Sequence, residues 1–339
     1  MPLELLPVED GEARLRIDSF ALTANNVTYA AIGDAFGYWD FFPATKDHGI
    51  VPVWGHATVV ETAAVGLHQG ERIYGYLPMA THLTVRPVAI GASGFTDGMP
   101  HRAARAAVYN QYRRLDADPG HRPGMEEVRA VFEPLFKTSF LIEAMFARAS
   151  WYDTQRLIVT SASSKTALAL AHVTRAAAPH VERIGLTAAA NVAFVMGSGL
   201  YDRVLAYDAI ETLAGTRAVA VDFAGNGATL ARIHTALGQD LAYSSLVGLT
   251  DWARRGGAKA MAGPTPVLFF APDHMAAMIG ERGGKAFNDA VGERWRAFTD
   301  DAARLIRIAP VDGLDAAAAA FTRLVAGEGD PAVAVVIRL

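Results

Sequence analysis

The chain has 339 residues and no cysteine. That absence excludes a disulfide framework, a thiolate zinc site, an iron–sulfur cluster and a cysteine nucleophile. Basic residues are not in excess either: 31 Lys plus Arg stand against 35 Asp plus Glu, a formal net charge of −4. Such a balance leaves no electrostatic footprint for nucleic acid. No uninterrupted apolar run reaches the ~18 residues of a membrane-spanning helix. The opening MPLELLPVEDGEARLRI carries acids early and lacks the basic stretch that precedes the apolar run of a secretory leader. Charged residues are only 19%, while 51% are hydrophobic, too apolar for a disordered chain and enough for a large core. The expectation is a soluble, cytoplasmic protein of about two domains, with no membrane or nucleic-acid partner.

The patterns that are present divide the chain. Residues 14–30 and 50–90 read as β. RLRIDSFAL and HATVVETAAV alternate with the period of half-buried strands, GERIYGYL is flanked by glycines, and HLTVRPVAI ends at a loop over residues 91–98. These short strands predict an all-β domain, a sandwich or partly open barrel. HRAARAAVYNQYRRL reads as helix. MEEVRAVFEPLFKTSFLIEAMFARAS reads as helix with a break or kink near Pro134. From RLIVTSA to DLAYSSLVG, strands alternate with helices, including SKTALALAHVTRAA and ATLARIHTALG, which predicts a parallel sheet covered by helices. A loop-rich insertion, the helices GGKAFNDAVGERWRAFTDDAARLI and LDAAAAAFTRLVAG, and an apolar terminal strand PAVAVVIRL complete the chain. The fold class is therefore α/β, a β-rich domain plus a doubly wound parallel sheet.

The first strand–turn–helix, LIVTSASSKTALALA at residues 157–171, carries the chemistry. In folds that bind dinucleotides this turn is glycine-rich, because backbone must approach a diphosphate. Here Ala162, Ser164 and Ala167 stand in those places. Small side chains and free N–H donors at a helix N-terminus meet the same physical need. Thr160, Ser161, Ser163, Ser164 and Thr166 add hydroxyls, and Lys165 adds a positive charge. A capping serine cluster before an ordinary helix is the plainer alternative. The second strand ends at Thr187 and runs to Asn191 without the acid that binds an adenine ribose in NAD sites. A neutral, hydroxyl-bearing end suits an additional phosphate, so the expected cofactor is NADPH, with Thr187, Lys165 and Asn191 near that phosphate.

Nearly the full length resembles the medium-chain dehydrogenase/reductase superfamily. GHATVVET with GERIYGYLPMATHLTVRP is similar to its "GHE…V…G…GDRVYG…A.Y" stretch, SGLYDRVLAYDAI to its "lGADhVidY" strand, AVAVDFAGN to "vDvvfDcvG", and PAVAVVIRL to the closing "GKvVl". TSASSKTA with GLTAAAN marks a branch for which the resemblance implies no particular substrate. The resemblance implies a GroES-like partly open barrel at residues 1–125 and a Rossmann-like dinucleotide domain at 126–275. Residues 276–339 would return to the catalytic domain. Zinc-dependent members use a cysteine that this chain lacks, so the likeness points to the zinc-free quinone oxidoreductase and enoyl reductase side. His56 is then expected to be structural, a metal site with His48, Asp47 or Glu61 being the alternative, and no metal is assigned.

The resemblance also implies site residues. ALTANNVTYA occupies the place of the family's "NP.D", so Asn25 would contact carboxamide or substrate and Tyr29 would donate a proton; a turn and a packed aromatic are the alternatives. Thr138, or Ser139, matches a hydroxyl that relatives keep near the nicotinamide. Ala224 and Asn226 follow the fourth strand, where relatives rest a ribose; Asp222 beside them is expected to support the loop. Tyr207 would flank the adenine, and Phe269 lies where relatives contact the carboxamide or dimerise. Tyr109 and Tyr112 form a donor cluster with Asn110 and Gln111, read as substrate-binding or as a solvated helix face. The expected activity is zinc-independent, NADPH-dependent hydride transfer to a small α,β-unsaturated carbonyl, quinone or other carbonyl compound. Two alternatives stay open: a ligand-binding protein without redox turnover, and a lyase or isomerase of a larger metabolite that contains NADP(H). A homodimer is open.

Overall fold

The computed structural model describes residues 6–215, 217–247 and 261–339. It divides into two compact units, one formed by residues 1–131 and 307–339 and the other by 132–306.

In the first unit the chain makes β1 (Ala13–Leu22), α1 (Ala24–Ala31), α2 (Gly33–Phe36), β2 (Pro52–Thr62), β3 (Arg72–Pro78), β4 (His82–Val85), β5 (Pro87–Gly91), β6 (Gly94–Asp97) and β7 (Gln111–Arg114). Then α3 (Glu126–Arg148) carries it into the second unit. There follow β8 (Arg156–Val159), α4 (Lys165–Ala177), β9 (Glu182–Thr187), α5 (Val192–Gly197), β10 (Arg203–Ala206), β11 (Ala218–Asp222), α6 (Gly227–Leu237), β12 (Leu241–Leu246), β13 (Val267–Leu268), α7 (Ala271–Arg282) and α8 (Gly284–Leu305). The return to the first unit is β14 (Arg307–Asp312), α9 (Leu314–Val325) and β15 (Val333–Arg338).

The first unit is a sheet in the order β14-β15-β1-β2-β3-β7-β6-β5, with β4 also paired to β1, and it does not close into a barrel. Alternation puts Leu15, Ile17, Phe20, Val53, Val59, Ile73, Leu77 and Ile337 into its core. Gly75 in β3 has a specific packing reason: a Cβ there would lie 2.4 Å from the Tyr112 ring. The second unit is a parallel sheet in the order β10-β9-β8-β11-β12-β13. Counted along the chain this order is third, second, first, fourth, fifth, sixth, the doubly wound arrangement whose ligand crevice lies at the carboxyl ends where the direction of winding reverses. That reversal falls between β8 and β11. Ile158, Ile184, Leu186, Ala220, Ile233 and Leu241 form its core. The α/β class with an open β-rich domain and a Rossmann-like sheet is therefore observed. Among the described residues no helix is long and apolar enough to cross a membrane.

Several local expectations are corrected. Residues 24–30, read as β, are helical in α1: Asn26 Oδ1 accepts the Thr23 N–H at 2.7 Å and so caps the helix start. HLTVRPVAI is two strands with different partners, β4 on β1 and β5 on β6, separated at Arg86 before the donor-less Pro87. Residues 91–98 hold β6 of a hairpin and are more than a loop. HRAARAAVYNQYRRL is not a helix but two short 3-10 turns and β7, because Arg102, Asn110 and Tyr112 turn inward to bond one another and their neighbours. α3 runs unbroken through Pro134, whose carbonyl accepts from the Thr138 hydroxyl at 3.1 Å. The insertion after the fifth parallel strand contains β13 and α7; Gly248, expected to end that strand, and residues 249–260 lie outside the described residues. β14, which pairs in parallel with β15, has no counterpart in the sequence reading.

Candidate functional site

The turn after β8 sits at the winding reversal of the second unit. Thr160, fully buried, ties the two strands there: its N–H donates to the Val221 carbonyl at 3.1 Å and its hydroxyl to Asp222 Oδ1 at 2.5 Å. The same hydroxyl oxygen accepts the Phe223 and Ala224 N–H groups at 2.9 and 3.1 Å. Asp222 thus supports the loop, as the sequence suggested. Burial raises its carboxyl pKa, and the Thr160 hydroxyl and the loop amides oppose that rise.

Ser161 adopts a left-handed φ of 48°, a conformation glycine takes readily and serine seldom does. Its N–H donates to Tyr207 Oη at 2.9 Å, and its carbonyl accepts the Ser164 N–H at 2.7 Å. Ser163 Oγ accepts from both Thr187 Oγ1 and Asn191 Nδ2 at 3.3 Å. Ser164 caps α4 by accepting the Ala167 N–H at 3.3 Å. Lys165 is the first residue of α4, and the half-buried Lys165 and Thr166 lie at the positive end of that helix. Thr160, Ser161, Ser163, Ser164, Lys165, Thr166, Thr187, Asn191, Tyr207 and Ala224 are therefore brought together at the carboxyl ends of four adjacent strands.

Sequence reasoning missed what braces this turn. Gly185 in β9 leaves room for it: a Cβ there would meet the Ala162 Cβ at 2.9 Å and the Tyr201 ring at 3.0 Å. The Tyr201 hydroxyl bonds the Ala162 and Ala167 carbonyls at 3.3 and 2.9 Å, and burial raises its pKa. Close packing under the turn therefore depends on a glycine in the neighbouring strand. On α3 it is Ser139 that reaches the turn, donating to the Thr166 carbonyl at 2.8 Å, while Thr138 bonds within its own helix. Asn226 caps α6 with Oδ1, accepting the Ala228 and Thr229 N–H groups, each at 3.0 Å. Phe269 is buried and stacks on His274 at 4.3 Å.

The first unit holds an aromatic cluster. Tyr76 is at its centre, with ring centroids of Tyr109, Trp54, Phe41, Tyr29 and Phe42 at 4.7, 5.1, 5.2, 5.6 and 5.9 Å. Trp54 and Tyr76 face each other directly across β2 and β3. Trp54 Nε1 donates to Tyr29 Oη at 3.3 Å, and Asn25 adds a further hydrogen bond to that phenol. The Tyr38 and Tyr109 hydroxyls lie 3.4 Å apart. Burial first, and then the neighbouring Tyr38, raise the Tyr29 pKa, so this phenol is protonated at neutral pH.

Arg102 holds the cluster from beneath. Fully buried, it pairs with Asp97 at 2.7 Å and donates to Asn110 Oδ1, Tyr112 Oη and the Tyr109 carbonyl at 3.0, 2.9 and 2.6 Å. Tyr112 in turn donates to the Tyr76 carbonyl at 2.7 Å and stacks on Phe95. Its pKa is pushed up to about 12 by burial, against the opposing effect of Arg102. Tyr29, Asn25 and Tyr109 thus meet, whereas Tyr112 is committed to the supporting network. Tyr38, Trp54, Tyr76 and Arg102 escaped the sequence reading. A usable signal was the alternation Trp54-x-His56 against Tyr74-x-Tyr76, which puts aromatic rings on one face of paired strands. Among the described residues no three or more His, Asp or Glu side chains group as metal ligands.

Solved structures match over the whole chain. CurA from Vibrio vulnificus in complex with NADPH is 15% identical with a TM-score of 0.63, covering 100% of this chain and 93% of that one. JamJ enoyl reductase is 11% identical with a TM-score of 0.61, covering 100% and 94%. The yhdH oxidoreductase from Salmonella enterica in complex with NADP is 10% identical with a TM-score of 0.57, again covering 100% and 94%. These likenesses establish a medium-chain dehydrogenase/reductase fold. No curated protein matches the sequence. Residues 20–330 match the family model described as "Protein of unknown function (DUF2855)".

Proposed function

The chain belongs to the DUF2855 family, and from its site chemistry we propose that it is a zinc-independent, NADPH-dependent reductase of a small, neutral α,β-unsaturated carbonyl, quinone or carbonyl compound. The observation that carries the reading is the turn at the winding reversal. It has hydroxyls and amides from four strand ends, a lysine at a helix N-terminus, and no acid from Thr187 through Tyr201.

The residues fit a dinucleotide phosphate. Ala162 and Gly185 keep the turn small, and the N-terminus of α4 favours an anion. A carboxylate at the end of β9 would repel a 2′-phosphate; Thr187 and Asn191 place a neutral hydroxyl and amide there instead, and the Asn191 amide keeps a second N–H besides the one given to Ser163. Lys165 supplies the point charge. The NADPH bound to CurA and the NADP bound to yhdH agree with this choice of cofactor.

NADPH, when bound, supplies the hydride. The chain's own residues orient the ligand and handle the proton. The Tyr29 phenol, raised by burial and held by Trp54, keeps its proton at neutral pH and is the candidate donor to an oxygen that gains negative charge. Asn25, bonded to that phenol, orients it.

The test is steady-state oxidation of NADPH by the purified protein with a panel of enones, quinones and simple ketones. Substrate-dependent oxidation of NADPH, with NADH markedly poorer, is expected. NADPH binding without oxidation by any member of the panel would replace the reductase with a nucleotide-binding protein or a non-redox enzyme.

A further inference from the structure

Among the described residues, the Tyr76 hydroxyl is buried without a hydrogen-bond partner. Leaving a buried polar group unmade costs about 1–3 kcal/mol, and phenylalanine would fill the same volume without that cost. The phenols around it are provided for: Tyr29 accepts from Trp54, Tyr38 and Tyr109 lie within reach of each other, and Tyr112 donates to a backbone carbonyl. Among the phenols just named, Tyr76 alone has a hydroxyl without a hydrogen-bond partner.

Its surroundings describe that partner. Five rings lie within 5.9 Å of the Tyr76 ring, centroid to centroid. They offer π faces and edges to a planar ring. The Arg102 guanidinium lies over the Phe41 and Phe42 rings at 5.4 and 5.2 Å. That charge disfavours an ammonium ligand, the usual guest of aromatic cages, and its pairing with Asp97 leaves no net charge for an anion. The ligand is therefore neutral, flat and equipped with a hydrogen-bond acceptor.

Tyr109 is half-buried and sits on a four-residue turn; its hydroxyl lies 3.4 Å from that of Tyr38 and also bonds Tyr29. Arg102 holds the Tyr109 backbone in place through its carbonyl.

We propose that this cluster binds a planar aromatic carbonyl compound, with Tyr76 Oη donating to the carbonyl oxygen and the Tyr109 ring yielding as the aromatic ring stacks. That the compound is a substrate rests on the reductase reading; that it binds does not.

The experiment is calorimetric titration of the whole protein, without nucleotide, using three probes: acetonaphthone, ethylnaphthalene and cyclohexyl methyl ketone. Acetonaphthone should bind wild type at least about tenfold more tightly than either control, and Tyr76→Phe should lose about tenfold of that affinity while binding ethylnaphthalene unchanged. Without ligand, Tyr76→Phe should melt at or above the wild-type temperature, because it removes an unsatisfied hydroxyl. No binding of acetonaphthone by wild type, equal affinity in Tyr76→Phe, or a lower melting temperature of the variant would each overturn the proposal. Binding of acetonaphthone without any NADPH oxidation by wild type would leave this site standing and remove only the reductase reading.

Discussion

Asp222 shows how a single residue at the site was legible and yet carried more than its letter. The sequence marked it as a loop support, and its carboxylate does accept from Thr160 and Ala224. Burial also raises its pKa above the unfolded value of about 3.9. The folded state therefore holds this proton more tightly than the unfolded chain. The contribution favours folding at low pH and is lost as pH rises from about 4 through the folded value. Asp222→Asn removes that titration and keeps an acceptor for Thr160. Urea denaturation across a pH series should show the stability difference shifting toward the variant as pH rises to neutrality. A difference constant with pH would mean that Asp222 does not titrate with folding. The residues that could not be read from sequence share one cause. Gly185, Tyr201 and Tyr76 act through neighbours that only tertiary packing supplies.

At the scale of elements, periodicity succeeded wherever one face of a strand or helix was buried against a continuous core. The strands and helices from β8 to β12 follow it closely. It failed where side chains, not the pattern, set the backbone. Residues 24–30 continue an apolar rhythm from β1, but Asn26 ends the strand by capping α1 and donating from Nδ2 to the Pro52 carbonyl at 2.8 Å. Removing both bonds in Asn26→Ala leaves two backbone groups without partners, at a cost of about 1–3 kcal/mol. Chemical denaturation should show a lower midpoint for this variant; an unchanged midpoint would mean that α1 is specified by packing alone. The segment around Arg102 misled for a related reason. Its helix formers are outweighed by one buried guanidinium that bonds three neighbours in turn and strand conformations. β14 is short and mostly half-buried, with a weak alternation, and its pairing with β15 becomes visible only in three dimensions.

For the whole molecule, the order of the parallel strands decides where a ligand can bind; alternating strands and helices in the sequence implied a doubly wound parallel sheet, and the order itself is seen only in the structure. The turn that marks the reversal departs from the glycine-rich rule, and the structure supplies a physical reason for tolerating the departure. Ser161 adopts the left-handed conformation itself, and the glycine that gives clearance stands in β9 instead. The central claim is that this turn takes a dinucleotide bearing a 2′-phosphate. The most direct test is calorimetric titration of wild type and Lys165→Ala with NADPH and with NADH. NADPH should bind wild type at least about tenfold more tightly than NADH, a difference of about 1.4 kcal/mol, and the lysine variant should lose most of that preference. Equal affinities for the two nucleotides in wild type, or binding of neither, would contradict the account.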